Sequence, residues 1–253
     1  SLLTARSRLP WMAGALLLAL PVLAQQYNSN DLTPLNSNNA KLNGASSGKQ
    51  AGGSGNNHAI LMNGNALNYT DLHPTTGYSS SMLTSTDDVD QCGYAFSNSL
   101  LHQHAMKWSG SNTSYVDLHG QISFDSSYCL GTHGGQQVGY GERPVYFTTY
   151  QNAFVWSNGV ATNLHPLTYG YSKALGVRNG QQVGYGSSAP YPYGETFGYH
   201  AGSRALLWAG TAASAVDLHP VGYDASEAWA TNGTQQGGLA YRALPTQIGR
   251  AHV

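Results

Sequence analysis

Charged side chains are what this sequence lacks most. Only 9% of the 253 residues are charged, the formal net charge is −1, and no run of basic residues occurs. A nucleic-acid partner requires a positive footprint that neutralises phosphates, so we predict that nucleic acid is not a ligand. The polar character comes instead from Ser, Asn and Thr, together with 31 glycines and 17 tyrosines. This composition is typical of short strands joined by tight turns.

Long apolar runs and catalytic signatures are also missing. The apolar stretch at 11–20 is shorter than the ~20 residues of a membrane-spanning helix, and no later segment is more apolar, so we predict no membrane span. Neither a His-Glu-x-x-His pattern nor a phosphate-binding loop occurs. We therefore predict no catalytic residues, no metal and no cofactor. The sequence leaves enzymatic activity open but favours its absence.

Cysteine is scarce, with Cys92 and Cys129 as the two copies. An exported chain would place them in an oxidising compartment, where a disulfide between them can persist. The alternative is that both behave as small hydrophobic strand residues. The sequence leaves these two interpretations open.

The two ends of the chain differ from the rest. Basic residues, a short apolar core and small residues ending at Ala24 predict a secretory signal peptide over 1–24, so we expect an exported protein, secreted or at the cell surface. The chain opens on Ser1, and we expect residues to precede it. Residues 25–39 are polar and predict a flexible leader. Residues 247–253 match a translated sequencing adapter, so we expect a non-native tail there and a natural chain that continues.

Two phrases recur through the remainder of the chain. Gly-Gln-Gln-Val-Gly-Tyr-Gly occurs at Gly135–Gly141 and Gly180–Gly186, with weaker copies near Gln91 and Gln236. A Leu-His phrase occurs four times, and its leucine recurs after 46, 46 and 54 residues. The second glutamine of the first phrase recurs after 46, 45 and 54 residues. The spacings of the two phrases change together along the chain, which indicates an internal repeat.

A period near 45 with strand-type composition predicts four-stranded propeller blades. We predict an all-β fold, a β-propeller-like array of four-stranded blades with about four full repeats and a partial fifth, as part of a truncated propeller. An open stack of sheets is the alternative. The repeat domain is predicted over 40–246, with units at 40–74, 78–120, 124–166, 170–220 and 224–242. Small residues in the first strand of each unit suit a crowded innermost position.

The apolar run of each unit and the Gly-Gln-Gln-Val-Gly phrase carry a resemblance. Gln103–Trp108, Asn57–Met62 and Gln151–Trp156, with the glycine phrases, resemble the HAF family of probable extracellular repeats. The resemblance covers roughly residues 40–242 and implies an exported, propeller-like β-repeat domain without an established activity. The chain departs from the family pattern at its Leu-His-Pro segments and where Asn152 and Arg204 replace a unit-opening histidine.

The repeated polar and aromatic residues admit a functional and a structural interpretation. Four histidines at one repeat position could suggest a metal, but outermost strands would hold them too far apart to share an ion. We predict that they and the preceding aspartates are structural, and that the repeated tryptophans pack between blades. The predicted structural set is Asp71, His73, Trp108, Asp117, His119, Trp156, His165, Trp208, Asp217 and His219. Asp87, Asp88 and Asp90 could bind Ca²⁺ but fall at an expected hairpin turn, which favours a solvated acidic turn.

The units differ most in the loops between their second and third strands. Antiparallel strands place these loops on one face, a common way to build a binding surface, although the aromatic residues could equally fill the loops. The candidate ligand-binding residues are Tyr146, Phe147, Tyr150, Tyr191, Tyr193, Phe197, Tyr199 and His200. We predict a non-enzymatic recognition or surface module that binds a glycan or a protein partner. The alternatives are a secreted propeller hydrolase or lyase and a structural spacer.

Overall fold

The computed structural model describes residues 32–34, 39–65, 67–146, 148–188, 191–192 and 202–242. The predicted signal peptide, most of the predicted leader and the predicted tail lie outside the described residues. Within the described part of the chain, no helix is long and apolar enough to cross a membrane.

Five antiparallel sheets follow one another along the described chain. In the first four, the strands pair in chain order, so each sheet is a meander. The fifth contributes one hairpin. The coarse prediction, an all-β array of four-stranded sheets, is therefore confirmed.

The strands of the first three sheets have the following bounds. The first sheet contains β1 (Ala40–Ser46), β2 (Lys49–Ser54), β3 (Ala59–Asn63) and β4 (Tyr69–Asp71). The second contains β5 (Tyr78–Thr86), β6 (Gln91–Ser97), β7 (Gln103–Trp108) and β8 (Val116–Asp117). The third contains β9 (Ser126–His133), β10 (Gln136–Val145), β11 (Thr148–Ser157) and β12 (Val160–Asn163).

The remaining elements complete the array. The fourth sheet contains β13 (Tyr171–Arg178), β14 (Gln181–Ser187), β16 (Ser203–Trp208) and β17 (Val216–Asp217), and β15 (Tyr191–Pro192) joins the third sheet beside β11. The fifth contains β18 (Ala225–Thr231) and β19 (Gln236–Tyr241). Two single 3₁₀ turns, His119–Gln121 and Ala212–Ser214, are the helical segments of the described chain.

A β-bulge in each first strand explains the glycine that follows valine in the repeated phrase. The register shifts where Gly139 pairs with Cys129 and again where Gly184 pairs with Ala174. A Cβ at Gly139 or Gly184 would overlap the carbonyl oxygen of Tyr128 or Lys173 on the first strand. Such close backbone approach is a common reason for glycine inside a strand.

The glutamine of the repeated phrase supports the turn between the third and fourth strands. Its Oε1 accepts a hydrogen bond from a glycine N–H of that turn in three units. The pairs are Gln50 with Gly64 (3.1 Å), Gln91 with Gly110 (2.8 Å) and Gln182 with Gly210 (2.7 Å). The phrase is therefore a scaffold element in these units.

Each buried tryptophan packs against the preceding sheet. Trp108 shares a cluster with Leu61 and Leu72 of the first sheet. Trp156 shares one with Leu118 of the second sheet and donates its indole N–H to the Leu118 carbonyl at 3.2 Å. All three tryptophans, including Trp208, are fully buried. Successive sheets are therefore joined by apolar interfaces that bury large aromatic areas.

The first strands of all five sheets line one cavity of about 370 Å³. They also approach one another closely, because a Cβ at Gly131 would lie 2.9 Å from the Leu175 carbonyl oxygen, and one at Gly176 would lie 2.9 Å from that of Trp229. This geometry accounts for the small residues predicted at the innermost position.

Candidate functional site

The meander topology gives the array two different edges. The loops between second and third strands and the connections between sheets lie on one edge, which we call the loop face. The hairpins between first and second strands and between third and fourth strands lie on the other, the turn face. Of the candidate ligand-binding residues that the structure describes, Tyr146 and Tyr150 belong to the loop face.

The β10–β11 hairpin has long strands, with 10 residues in each, that run toward the loop face. Its pairing continues without interruption from Gln136 opposite Ser157 to Val145 opposite Thr148. Only positions 146 and 147 remain for the turn. Strand β15, from the insertion of the fourth unit, pairs with β11 through Pro192 opposite Thr148 and Tyr191 opposite Thr149. Variable segments of two units thus meet in one sheet, which we call the aromatic platform (residues 142–151 with 191–192).

Two tyrosines of the platform are exposed. Tyr146 is 92% exposed at the hairpin tip, and Tyr150 is 55% exposed on β11. An exposed ring offers an apolar face and a hydroxyl that can form hydrogen bonds. Of the other candidates, Tyr191 is described by its backbone, while Phe147, Tyr193, Phe197, Tyr199 and His200 lie outside the described residues.

Tyr146 has a left-handed backbone conformation, with φ 52°. Asn158 and Asn179 have φ 52° and 50° at turns of other hairpins, where each precedes a glycine. Asparagine tolerates this region, whereas a bulky residue there costs free energy of order 1 kcal/mol. Leu101, in the equivalent loop of the second unit, shares this conformation with φ 58° and is 66% exposed, so exposed residues with a strained backbone occur on the loop face in two units.

The stem of the platform is held by neighbouring side chains. Arg143 donates to the Ser123 carbonyl, lies 3.5 Å from an Asp125 carboxylate oxygen and stands over the Phe124 ring at 5.6 Å. On the other side of the hairpin, the buried Gln151 amide donates to Glu142 at 2.7 Å. These contacts fix the direction in which the hairpin projects, as a preorganised binding surface requires.

A group of residues with shifted pKa values lies between the third, fourth and fifth sheets. The Lys173 amine stands 4.4 Å from the centre of the Tyr140 ring, which stacks on Tyr128 with ring centres 4.9 Å apart. Burial lowers the pKa of Lys173 to about 8, although the carboxylates of Glu142 and Glu227 act in the opposite direction. Burial, and then Glu142, raise the pKa of Tyr128 to about 12.

This lysine–tyrosine cluster follows from one register position. The first-strand residue and its partner on the second strand are Tyr128 with Tyr140 and Lys173 with Tyr185. Tyr140 and Tyr185 belong to the repeated phrase, and Lys173, on the first strand of the next sheet, covers the Tyr140 ring. The cluster is therefore an intersheet contact with a cation–π pair, which is a structural role. The prediction of small residues in the first strand of each unit does not account for Lys173 and Glu227.

The repeated histidines form hydrogen-bonded units that join successive sheets. In the second unit, Asp117 Oδ1 accepts from the His119 N–H at 2.8 Å, and His119 Nδ1 lies 2.9 Å from the Ser127 hydroxyl of the next sheet. The same hydroxyl accepts the Ala105 N–H at 2.8 Å. The equivalent serines are Ser81, Ser172 and Ser226.

These Asp-His-Ser groups do not have the geometry of a catalytic triad. The aspartate contacts the backbone N–H of its histidine, and the serine is buried against a backbone amide. In a triad, the carboxylate orients the imidazole ring and the hydroxyl faces substrate. These serines were not predicted, although one follows each repeated histidine by seven or eight residues in the sequence.

In two of these units, the other carboxylate oxygen of the aspartate makes a further contact. Asp71 and Asp117 each lie 2.7 Å from the Nδ1 of a further histidine, His58 and His104. The rings of His104 and His119 stack with centres 4.1 Å apart. Burial and the neighbouring His104 lower the pKa of His119, and burial with His58 lowers that of His73.

The three weak Ca²⁺ candidates point to different partners. Asp87 accepts the Gly134 N–H of the third sheet at 2.8 Å. Asp88 accepts from Ser46 of the first sheet at 3.1 Å, and Asp90 pairs with Lys107 at 2.9 Å. Among the described residues, no group of three or more His, Cys, Asp or Glu side chains could hold a metal ion. The acidic turn thus links three sheets.

A sequence pattern near the start of the array needs the structure for its interpretation. Gly44-Ala45-Ser46-Ser47-Gly48 has the spacing of a nucleophile elbow. An elbow requires a strand followed by a helix, but Ser46 ends β1 and a tight turn leads into β2. Its hydroxyl donates to Asp88. The pattern is part of a hairpin.

A cavity of about 410 Å³ opens on the turn face. Its lining comes from three hairpin turns and includes His133, Gly134, Ser157, Asn158 and Asn179. The cavity lined by the first strands contains Arg178 as its charged side chain and, among the described residues, neither a carboxylate nor a histidine. Cys92 and Cys129 are free thiols and fully buried.

No protein-family model, curated protein or solved structure matches the chain.

Proposed function

We propose that this chain is an exported recognition or surface module that binds an uncharged glycan through the aromatic platform. The observation that carries the proposal is Tyr146, an almost fully exposed ring held in a left-handed conformation at the tip of a braced hairpin. Residues exposed under strain suit ligand contact better than packing. The resemblance to the HAF family of probable extracellular repeats supports export.

The five sheets are, in this proposal, consecutive blades of a β-propeller. The shared cavity of the first strands and the sheet-to-sheet tryptophan interfaces support this arrangement. A rigid scaffold of this kind presents variable loops on one face. The pairing of β15 with β11 supports a binding surface built from two units.

The chemistry of the platform supports a sugar ligand. Tyrosine rings stack on the apolar faces of sugars, and their hydroxyls form hydrogen bonds with sugar hydroxyls. With 9% charged residues in the chain, a strongly charged ligand has few complementary groups. Such a surface does not have to be the same in every unit. Its residues differ from one unit to the next.

An oligosaccharide array tests the proposal with a double variant, Tyr146→Asn/Tyr150→Ser. We expect the double variant to bind the best wild-type glycan roughly tenfold or more weakly, because exposed aromatic anchors dominate such contacts. Its melting temperature should not fall, since asparagine suits the left-handed tip. The matched control is Val89→Ser, which removes a 74% exposed side chain from the turn face.

Each outcome of the array decides the proposal. Selective loss in the double variant, with binding retained by Val89→Ser, supports it. Equal binding by the double variant, or equal loss in the control, contradicts the assignment to the platform. A wild-type protein that binds no glycan, or that binds a polypeptide ligand instead, contradicts the glycan assignment.

A further inference from the structure

The two cysteines of the chain occupy facing positions of one sheet-to-sheet interface. Cys92 lies on β6 of the second sheet, directly before the glycine of the repeated phrase. Cys129 lies on β9 of the third sheet, directly before the bulge. Both belong to one buried cluster, with Phe154 and Trp156.

The same two positions face each other at the other three interfaces, where apolar residues occupy them. The pairs are Ala51 with Leu83, Val138 with Ala174, and Val183 with Ala228. Packing at these positions therefore does not require cysteine. A chain with two cysteines that places both in one facing pair has the arrangement that a cross-link between sheets requires.

The surroundings of the pair hold the two strands in register. The Thr84 hydroxyl lies 3.0 Å from the Cys92 carbonyl and 2.8 Å from the Cys129 carbonyl. It also lies 3.5 Å from the Cys92 sulfur. Burial and a hydrogen-bonding contact with the Cys92 thiol raise the pKa of Cys129. Both thiols lie in one buried cluster at the interface, where Cys129 Sγ also donates to the Gly131 carbonyl at 3.7 Å.

We propose that Cys92 and Cys129, which are free thiols in this structure, form a disulfide on oxidation that ties the second sheet to the third. The oxidant is a disulfide, such as oxidised glutathione. The thiolate of one cysteine attacks it and releases one small thiol; the other cysteine then displaces the second. One S–S bond is broken and one is formed, and the two cysteine protons end on the two released thiols.

Burial sets the time at which the bond can form. In the folded protein, both thiols are inaccessible to an oxidant and the raised pKa leaves little thiolate, so oxidation is slow. Before the third sheet docks on the second, the thiols are exposed and react readily. The disulfide therefore forms during folding, which suits an exported chain.

Oxidative refolding of the full 253-residue chain tests the proposal. Reduced, denatured protein is refolded with oxidised glutathione, and free thiols are then counted in denaturant. We expect no free thiols, no disulfide-linked dimer on a non-reducing gel, and a melting temperature roughly 5 to 10 °C above that of the reduced protein. Folded, reduced protein exposed to the same oxidant should react far more slowly.

The double variant Cys92→Val/Cys129→Ala is the matched control, because it reproduces the Val138–Ala174 pair of the next interface. Its melting temperature should be unaffected by reductant. The proposal is overturned by two free thiols after oxidative refolding, by a disulfide between chains, or by equal melting temperatures of the oxidised and reduced proteins. It does not depend on the proposed glycan binding, which the array tests separately.

Discussion

Single serine hydroxyls connect successive sheets at the residue scale. Ser127 accepts the Ala105 N–H of the second sheet and contacts the His119 ring of the same sheet. In the last complete unit, His219 Nε2 donates to the Tyr223 carbonyl at 2.9 Å, which leaves Nδ1 as the acceptor for Ser226 in the neutral ring. These contacts give the recurring histidine a place in the connection between successive sheets.

Ser127→Ala should destabilise the protein by about 1–3 kcal/mol. The substitution leaves the buried Ala105 N–H without its acceptor, and the desolvation penalty of that group is then not compensated. Urea denaturation measures the effect. Ser79→Ala, an exposed change on β5, is the control and should be near neutral. A loss in Ser127→Ala no larger than in the control would show that the hydroxyl is dispensable.

Acidification should destabilise the fold through these histidines. The pKa of His73, His119 and His165 is lowered, with burial as the largest cause. The unfolded imidazole therefore binds a proton at a higher pH than the folded one, so stability falls as pH drops below about 6.5.

The comparison of His119→Gln with the wild type isolates one histidine in this pH dependence. Denaturation midpoints measured between pH 7 and 5 should fall less steeply in the variant. His133→Gln, a half-exposed change at the end of β9, serves as the control. Identical slopes for wild type and His119→Gln would contradict the assignment.

At the scale of elements, the bulged first strands determine how closely the sheets can approach. The equivalent glycines of the repeated phrase face these bulges, and the glycines within the first strands face the next sheet. Backbone approach, more than side-chain chemistry, therefore explains the glycine pattern. A larger residue at either kind of position would separate strands that are packed together.

Gly176→Ala should destabilise the protein by about 1–3 kcal/mol. Its Cβ would lie 2.9 Å from the Trp229 carbonyl oxygen and 3.3 Å from the Val183 side chain, so the fifth sheet would have to shift. Thermal unfolding measures the effect. Gly237→Ala has open space around the new Cβ and should leave the melting temperature unchanged or slightly raised. Equal effects in both variants would contradict close packing at Gly176.

Some hairpins follow from local sequence signals. An Asn-Gly dipeptide is a strong signal for a two-residue hairpin, and Asn179-Gly180, with φ 50° and 76°, forms the turn between β13 and β14. The extension of β10 to Val145 and its pairing with β15 were not predicted. Val145 lies beyond the repeated phrase, and the Tyr191–Thr149 pair joins residues of different units. Long-range pairing of this kind leaves no local pattern in a single sequence.

Some contacts between sheets were predicted from the sequence, whereas others were not. Repetition of tryptophan at one position indicated packing between sheets, because an equivalent residue performs an equivalent role in every unit. Lys173 stands where other units have Met82 and Tyr128, so no repeat indicated it. The facing of Cys92 and Cys129 required the intersheet register, which the sequence does not contain.

At the scale of the whole molecule, the repeated residues and the variable residues have separate roles. Glutamine, glycine, histidine and tryptophan of the repeats form turns, bulges and interfaces. The platform at 142–151 and 191–192 belongs to the segments in which the units differ. In the proposed function, the ligand therefore binds on the loop face, and the turn face, despite its cavity of about 410 Å³, is scaffold.

Amide hydrogen exchange with and without the best oligosaccharide from the array tests this claim most directly. Bound ligand should slow exchange in residues 142–151, at the tip of the β10–β11 hairpin and beside β15. The turns at Asn158-Gly159 and Asn179-Gly180, which line the cavity on the turn face, should exchange at unchanged rates. Protection of those turns, with no change at residues 142–151, would contradict the account.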